Sequence, residues 1–343
     1  MKDMTIAVDI AKDVFEIGIS SEPGKVDETH RVSRARFLRF FANRESCTVV
    51  MEACGSAHHW AREIEKLGHR VVLLPPHTVR PYVQRSKTDR TDVKGILEAS
   101  RNRDIKPVPV KDLSQQAITA LHRFRSTWVA TRTARLNMVR GLLRELGIFI
   151  PVGARNVVPK VSELVEDADS PLPLAVRESF HQACIEIREL DKRISQMNWQ
   201  LELLCRQIPA CTRLRTIPGV GVLTATALVA FVGDVQRFRS CRQFANFLGL
   251  TPREYSSGNV RRLGRISKQG DSYLRTLLTH GARSVLWHAG KVNPPDRLRA
   301  WALKVAAQRG HNKGVIAIAN KLARTSWAVW KHETEFRSFP QPA

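Results

Sequence analysis

Two aspartates, Asp89 and Asp92, stand three residues apart in RSKTDRTDVKG (85–95), among cations and just ahead of the apolar positions Val93, Ile96 and Leu97. On a helix, residues at i and i+3 share a face, so both carboxylates point one way. Such a pair is either a solvated helix start, where acids suit the N-terminal dipole, or half of a metal site. Two further acids stand out by position. Asp9 closes the β-rich stretch MTIAVDI, and Glu52 lies near the end of the apolar stretch CTVVMEA. Carboxylates at strand ends and helix starts converge at the sheet edge where open α/β folds place their sites. Hard oxygen donors suit Mg²⁺ or Mn²⁺, which bind a few protein carboxylates plus substrate phosphate. Two such ions can stabilise the attacking and leaving oxygens of a phosphoryl transfer. Any one of these acids alone reads as a turn residue or a cap.

A second cluster lies in TPREYSSGNVRR (251–262). A serine hydroxyl is a poor nucleophile until a base or a metal activates it, and no histidine stands nearby in the sequence. Arg253, Arg261 and Arg262 could steady a phosphate, and Arg265 and Lys268 extend the basic run. The plainer reading is that SSGN is turn chemistry and the arginines are backbone-phosphate contacts. The residues alone leave both readings open.

These clusters sit in a chain of unusual charge. Its 343 residues suit two or three domains, and its 55 Lys+Arg against 32 Asp+Glu give a net charge of +23. Such a field attracts polyanions, nucleic acid first. An anionic membrane is the weaker candidate, because no basic amphipathic segment carries a large aromatic face. Together with the four acids, the charge makes a nuclease or recombinase acting on phosphodiesters the leading expectation. Six cysteines without a C-x-x-C pair argue against zinc and a disulfide framework, and fit a reducing cytoplasm. The N-terminus lacks the apolar core of a signal peptide, and VLTATALVAFVG (222–233) is too short to cross a bilayer. A soluble cytoplasmic protein with no membrane partner is expected.

The elements that must position the clusters can be sketched. MTIAVDI and VFEIGIS predict a hairpin; ARFLRFFANR predicts a helix, CTVVMEA a buried strand, HHWAREIEKLG a helix ending at Gly68, RVVLLPP a strand, and 89–102 a helix. That order implies a mixed sheet flanked by helices. From Asp112 the texture turns to long helices. Leu113 to Gly147 reads as one helix, followed by a proline-containing stretch (151–173). Phe180, Ala183, Ile187, Leu190, Ile194, Met197, Leu201 and Leu204 then alternate in 3-4 spacing, a seam for self-association or for packing inside the chain's own bundle. We expect an antiparallel helical hairpin over Asp112 to Gln207. IPGVGVLTA suggests a helix-hairpin-helix-like element whose turn amides could hold a phosphate. The basic helix near the C-terminus (311–330) should use its tryptophans as core.

The set AVDIAKDVF, MEACGSAHHWA, PPHTVRPYVQRSKTDRTD, IPGVGVLTA, LGLTPREYSSG and GRISKQGDSYLR resembles the insertion-sequence transposases with a DEDD tetrad. These are relatives of the Piv DNA invertase, understood as bridge-RNA-guided recombinases. The resemblance runs from Met4 to about Trp330. It implies α/β plus all-α architecture: an RNase H-like (RuvC-like) catalytic domain over 1–111, a coiled-coil helical region over 112–207, and a small helical transposase domain over 208–335. The family's tetrad falls on Asp9, Glu52, Asp89 and Asp92, and its nucleophilic serine, directly before glycine, falls on Ser257 with Ser256 beside it. The implied partners are DNA, a structured noncoding guide RNA and further copies of the chain, as a dimer and a tetramer in synapsis. The implied place is the nucleoid of a bacterial cytoplasm, and the implied cofactor is Mg²⁺ or Mn²⁺. Arg90 and Thr91 stand between the aspartates where the family commonly has small residues. The rival readings are a metal-dependent junction nuclease without a covalent intermediate, and a nonenzymatic nucleic-acid-binding protein.

Overall fold

The apolar run in TIAVD builds β1 (Thr5–Asp9), which pairs antiparallel with β2 (Val14–Ser20) as the expected hairpin. A computed structural model describes residues 4–83, 89–292 and 296–337. It forms two units, Met1–Ser114 and Gln115–Ala343. In the first unit, β3 (Glu28–Ser33), α1 (Phe37–Ala42), β4 (Thr48–Glu52), α2 (Ala57–Lys66), β5 (Arg70–Leu74), α3 (Pro76–Val79) and α4 (Asp89–Arg101) follow. The strand order is β3-β2-β1-β4-β5, antiparallel across β1 to β3 and parallel across β1, β4 and β5. This is the expected mixed sheet. The edge strand β3 was not foreseen, because an edge pairing needs little apolar alternation and ETHRVS has none.

Period-two alternation gives the sheet two apolar faces. On one, Ile6, Val8, Phe15, Ile17 and Met51 pack against Phe37, Phe41, Trp60 and Ile64 of α1 and α2. On the other, Ala7, Val50 and Leu74 meet Val79 of α3 and Val93, Ile96 and Leu97 of α4. Gly18 permits the second packing: a β-carbon there would lie 2.3 Å from Val93 Cγ1.

The second unit is largely helical. α5 (Leu113–Glu145), α6 (Val157–Glu166) and α7 (Leu174–Gln207) come first. α5 and α7 run antiparallel: Arg125 Nε donates to Asn198 Oδ1 at 2.6 Å, Arg132 pairs with Asp191 at 2.6 Å, and Arg135 with Glu186 at 2.7 Å. The proline-containing stretch is more than a break, since it holds α6. Val157, Val161 and Leu164 of α6 join Leu136, Val139 and Leu143 of α5 and Phe180, Ala183 and Ile187 of α7 in one core. The seam of α7 is therefore covered from within the chain. From Phe180 to Leu201 its members are buried, and Leu201 packs against Ile118 and Ala230.

α8 (Pro209–Leu214), α9 (Val222–Val232), α10 (Cys241–Phe247), β6 (Pro252–Glu254), β7 (Leu263–Ile266), α11 (Ser272–Ala289), α12 (Arg297–Arg309) and α13 (His311–Lys331) complete the unit. Side-chain caps start three of these helices: Ser240 accepts from Gln243 N, Asp271 from Leu274 N and Asp296 from Arg299 N. In the PGVG turn Gly219 takes φ +84°, and a β-carbon there would meet Gly281 O at 2.7 Å, so close backbone packing alone accounts for that glycine. Of the C-terminal tryptophans, Trp330 is core as expected, while Trp327 packs only partly against it.

One polar link ties the helices of this core. His122 of α5, 1% exposed, bonds Tyr273 of α11 through Nδ1 at 2.9 Å and Thr226 of α9 through Nε2 at 3.0 Å. The Thr226 hydroxyl donates to Val222 O at 2.7 Å, so its single proton is spent. Nε2 must therefore carry the imidazole proton, and Nδ1 accepts from Tyr273. Burial first, then the Arg125 charge, lowers the His122 pKa to about 4. Among the described residues no helix is long and apolar enough to cross a membrane.

Candidate active site

Asp9 and Glu52 end two adjacent parallel strands, each one residue beyond the register pair Val8↔Met51. Both are half-buried. Alternation puts Asp9 on the face of Ala7 and Glu52 on the face of Val50. That is the face α4 covers. The direction of α4 follows from two contacts. Its C-terminal Arg101 donates to Ser20 Oγ at 2.7 Å, and Ser20 pairs with Thr5 at the start of β1. Val93 lies over Gly18, which pairs with Ala7 at mid-strand. Continuing toward the helix start leads to the Asp9 end of the sheet. The half-buried Asp92, in the first turn of α4, is therefore directed to the edge that carries Asp9 and Glu52. Asp89 begins the same helix, and its side chain lies outside the described residues. Among the described residues no three His, Cys, Asp or Glu side chains are gathered closely enough to hold a metal.

The surroundings of the two strand-end acids are electronegative. The Cys54 thiol is pushed up by burial, then by the Glu52 and Asp9 charges. The turn after Glu52 takes a left-handed φ of +65° at Ser56, a conformation costing about 1–2 kcal/mol for a non-glycine residue. It leads into α2, where burial and the neighbouring Lys111 and Arg62 charges lower the His58 pKa to about 4. His58 is thus neutral near pH 7 and does not offset the acids.

The serine cluster lies in the second unit, on the β6–β7 hairpin. Tyr255 N donates to Arg262 O at 2.8 Å, and Ser257 and Val260 exchange backbone bonds of 3.3 and 3.1 Å around the tip. Gly258 supplies φ +54° at the first central position, where such turns call for glycine. Residues 252–265 are exposed throughout. Arg253, Arg261, Arg262 and Arg265 are thus all on the surface with the nearby Lys268. The two serines differ. Ser256 Oγ donates to Glu254 Oε1 at 2.7 Å and accepts from Arg262 N at 3.1 Å. Ser257 Oγ has no hydrogen-bond partner among the described residues. Glu254 was missed in the sequence, although its two-residue spacing from Ser256 was the available signal.

Residues 6–148 match a transposase family of the DEDD IS110 type, and residues 211–296 match the "Transposase IS116/IS110/IS902 family". A probable family 20 transposase of Pseudomonas aeruginosa is 40% identical over 97% of this chain and 98% of its own length. The chain belongs to this transposase family. The transposase is also 38% identical, over 98% of its length and 92% of the relative's, to the transposase for insertion sequence element IS1111A of Coxiella burnetii. A pilin gene-inverting protein of Moraxella lacunata is 23% identical over 98% of both chains. The transposase is accordingly an insertion-sequence enzyme that acts on DNA.

Proposed function

We propose that the transposase is a site-specific recombinase whose first unit is an RNase H-like (RuvC-like) catalytic domain and whose second carries the nucleophile Ser257. The observation that carries the reading is the placement of Asp9 and Glu52 at one end of adjacent parallel strands, with the first turn of α4 directed to that end. The three-part division at 111 and 207 belongs to the same proposal.

Asp9, Glu52, Asp89 and Asp92 would hold Mg²⁺ or Mn²⁺, and their all-carboxylate oxygen donors fit that choice. When bound, the metal would supply charge stabilisation at the phosphate oxygens. Arg253, Arg261, Arg262, Arg265 and Lys268 grip the strand at the hairpin. Ser257 Oγ loses its proton and bonds to phosphorus. One bridging P–O bond breaks, and the released oxygen takes up a proton. Attack by a hydroxyl from another strand reverses the step and frees the serine. Ser256 is engaged in holding Glu254 and the Arg262 amide, which supports Ser257 as the reacting hydroxyl. In this reading the acids and the serine come together from different copies of the chain, with a dimer binding and a tetramer in synapsis. A structured noncoding RNA selects the target by base pairing, in the cytoplasm at the nucleoid.

The test is a suicide DNA substrate. Wild type should form a denaturation-resistant adduct, Ser257→Ala should form none, and Ser256→Ala should retain substantial activity. DNA binding should change little in Ser257→Ala, since one neutral hydrogen bond contributes about 0.5–1.5 kcal/mol. Recombination by Ser257→Ala would sink the serine mechanism, and an adduct mapped to Ser256 would move it by one residue.

A further inference from the structure

The face of α13 turned away from the core lines a cavity of about 1450 Å³ within the second unit. Val315, Ile318, Ala319 and Leu322 of this helix face the core, whereas Lys313, Ala317, Asn320, Lys321 and Arg324 face the cavity. Trp301 of α12 forms part of the wall, with Lys321 Nζ 4.2 Å from its ring centroid. Arg337 adds a further cation, and Glu335 is the one acid in the lining among the described residues. Pro252 and Ile266, paired at the base of the β6–β7 hairpin, complete the wall.

We propose that this cavity binds an unpaired stretch of the DNA strand beside the serine hairpin. The proposal rests on the transposase's action on DNA and goes beyond the acids and the serine. Four cations against one acid select a polyanion. The volume exceeds the roughly 300–1,000 Å³ of small-molecule sites, so an extended ligand suits it better than a metabolite. The apolar wall beside the cations, with Ile316, Trp301 and Trp327, favours an unpaired strand, whose bases are open to contact where a duplex keeps them between its own pairs. Continuity with the hairpin base favours the strand being processed. Among the described residues the Arg324 guanidinium makes one hydrogen bond, from Nε to Cys241 Sγ at 3.5 Å, which leaves its terminal N–H groups for phosphate. The small side chain of Ala317 leaves space for the backbone between Lys313 and Lys321.

Fluorescence anisotropy of the full chain with labelled oligothymidylate, the matching duplex and oligouridylate tests this. Lys321→Gln/Arg324→Gln should weaken oligothymidylate binding about tenfold or more and reduce the slope of log K against log salt by about 1.4, the loss expected for two phosphate contacts on a single strand. Duplex binding should change less than about twofold, as expected where the general field is nearly intact. Lys313→Glu, at the exposed end of the same face, should act in the same direction if the double variant folds poorly. Ser257→Ala should bind oligothymidylate as wild type does, so failure of the serine mechanism stays distinguishable from failure of the cavity. Unchanged oligothymidylate binding, or an equal loss on duplex, overturns the proposal. Oligouridylate binding tighter than oligothymidylate, with the same loss in the variants, would overturn the DNA assignment in favour of RNA.

Discussion

The usefulness of Asp92 depends on its neighbour. Val93 is locked over Gly18, where no β-carbon fits, and this contact fixes how the first turn of α4 meets the sheet. Asp9 and Glu52 need no such device, because strand register alone sets them side by side. A carboxylate at such an edge matters through its charge, which an amide of the same shape removes. Glu52→Gln should therefore lower DNA cleavage by about a hundredfold or more, the scale of losing one electrostatic contact to a reacting phosphate. The fold should survive, since Glu52 is half-buried at a strand end. A readout independent of activity is the thermal midpoint in Mg²⁺, which should rise for wild type and less for the variant, because a ligand that binds only the folded state stabilises it. An unchanged cleavage rate would remove Glu52 from the site.

At the scale of elements, the α7 seam is the informative case. Its 3-4 spacing was fully visible in the sequence, but periodicity does not name the partner. The partner is the chain itself, through α5, α6 and α9. Leu201→Ala should then destabilise the second unit by about 2–5 kcal/mol, as for a fully buried leucine. That loss should not depend on protein concentration, whereas a seam between copies would make it do so. Urea titrations at two widely separated concentrations decide it. Legibility followed the same logic elsewhere. β1, β2, β4 and β5 were readable as short apolar, β-branched runs, and the helices α2 and α4 because one buried face imposes a period. α6 was hidden by Pro159, which a helix tolerates in its first turn. β3 and the β6–β7 hairpin were hidden because edge and surface strands carry little apolar signal. The acids could be picked out by position, but only the strand register shows that Asp9 and Glu52 share a face. Glu254 went unnoticed because it ends an unforeseen strand and its partner is a serine two residues on, in the turn.

For the molecule as a whole, a net charge of +23 makes affinity for nucleic acid strongly salt-dependent, while His122 and His58, both neutral when folded, weaken stability in acid. His122 titrates near 4 when folded, against 6.5 for an ordinary histidine. Its neutral form is favoured in the native state, so the unfolded chain gains protons first. The penalty begins as pH falls below about 6.5 and reaches about 3 kcal/mol by pH 4. Urea midpoints at pH 7 and pH 4.5 should therefore fall further for wild type than for His122→Gln, and equal falls would remove His122 from the acid response. A final consequence follows from the exposed hairpin. Residues 252 to 265 all stand exposed to water, so among the described residues their own unit supplies no carboxylate-lined pocket around Ser257 Oγ. Under the proposed chemistry a solitary copy, lacking the acids that a second copy brings to its serine, would cut nothing. Productive exchange then waits for a full assembly to close over the tip, which makes the enzyme quiescent when scarce and restrains the element's own spread.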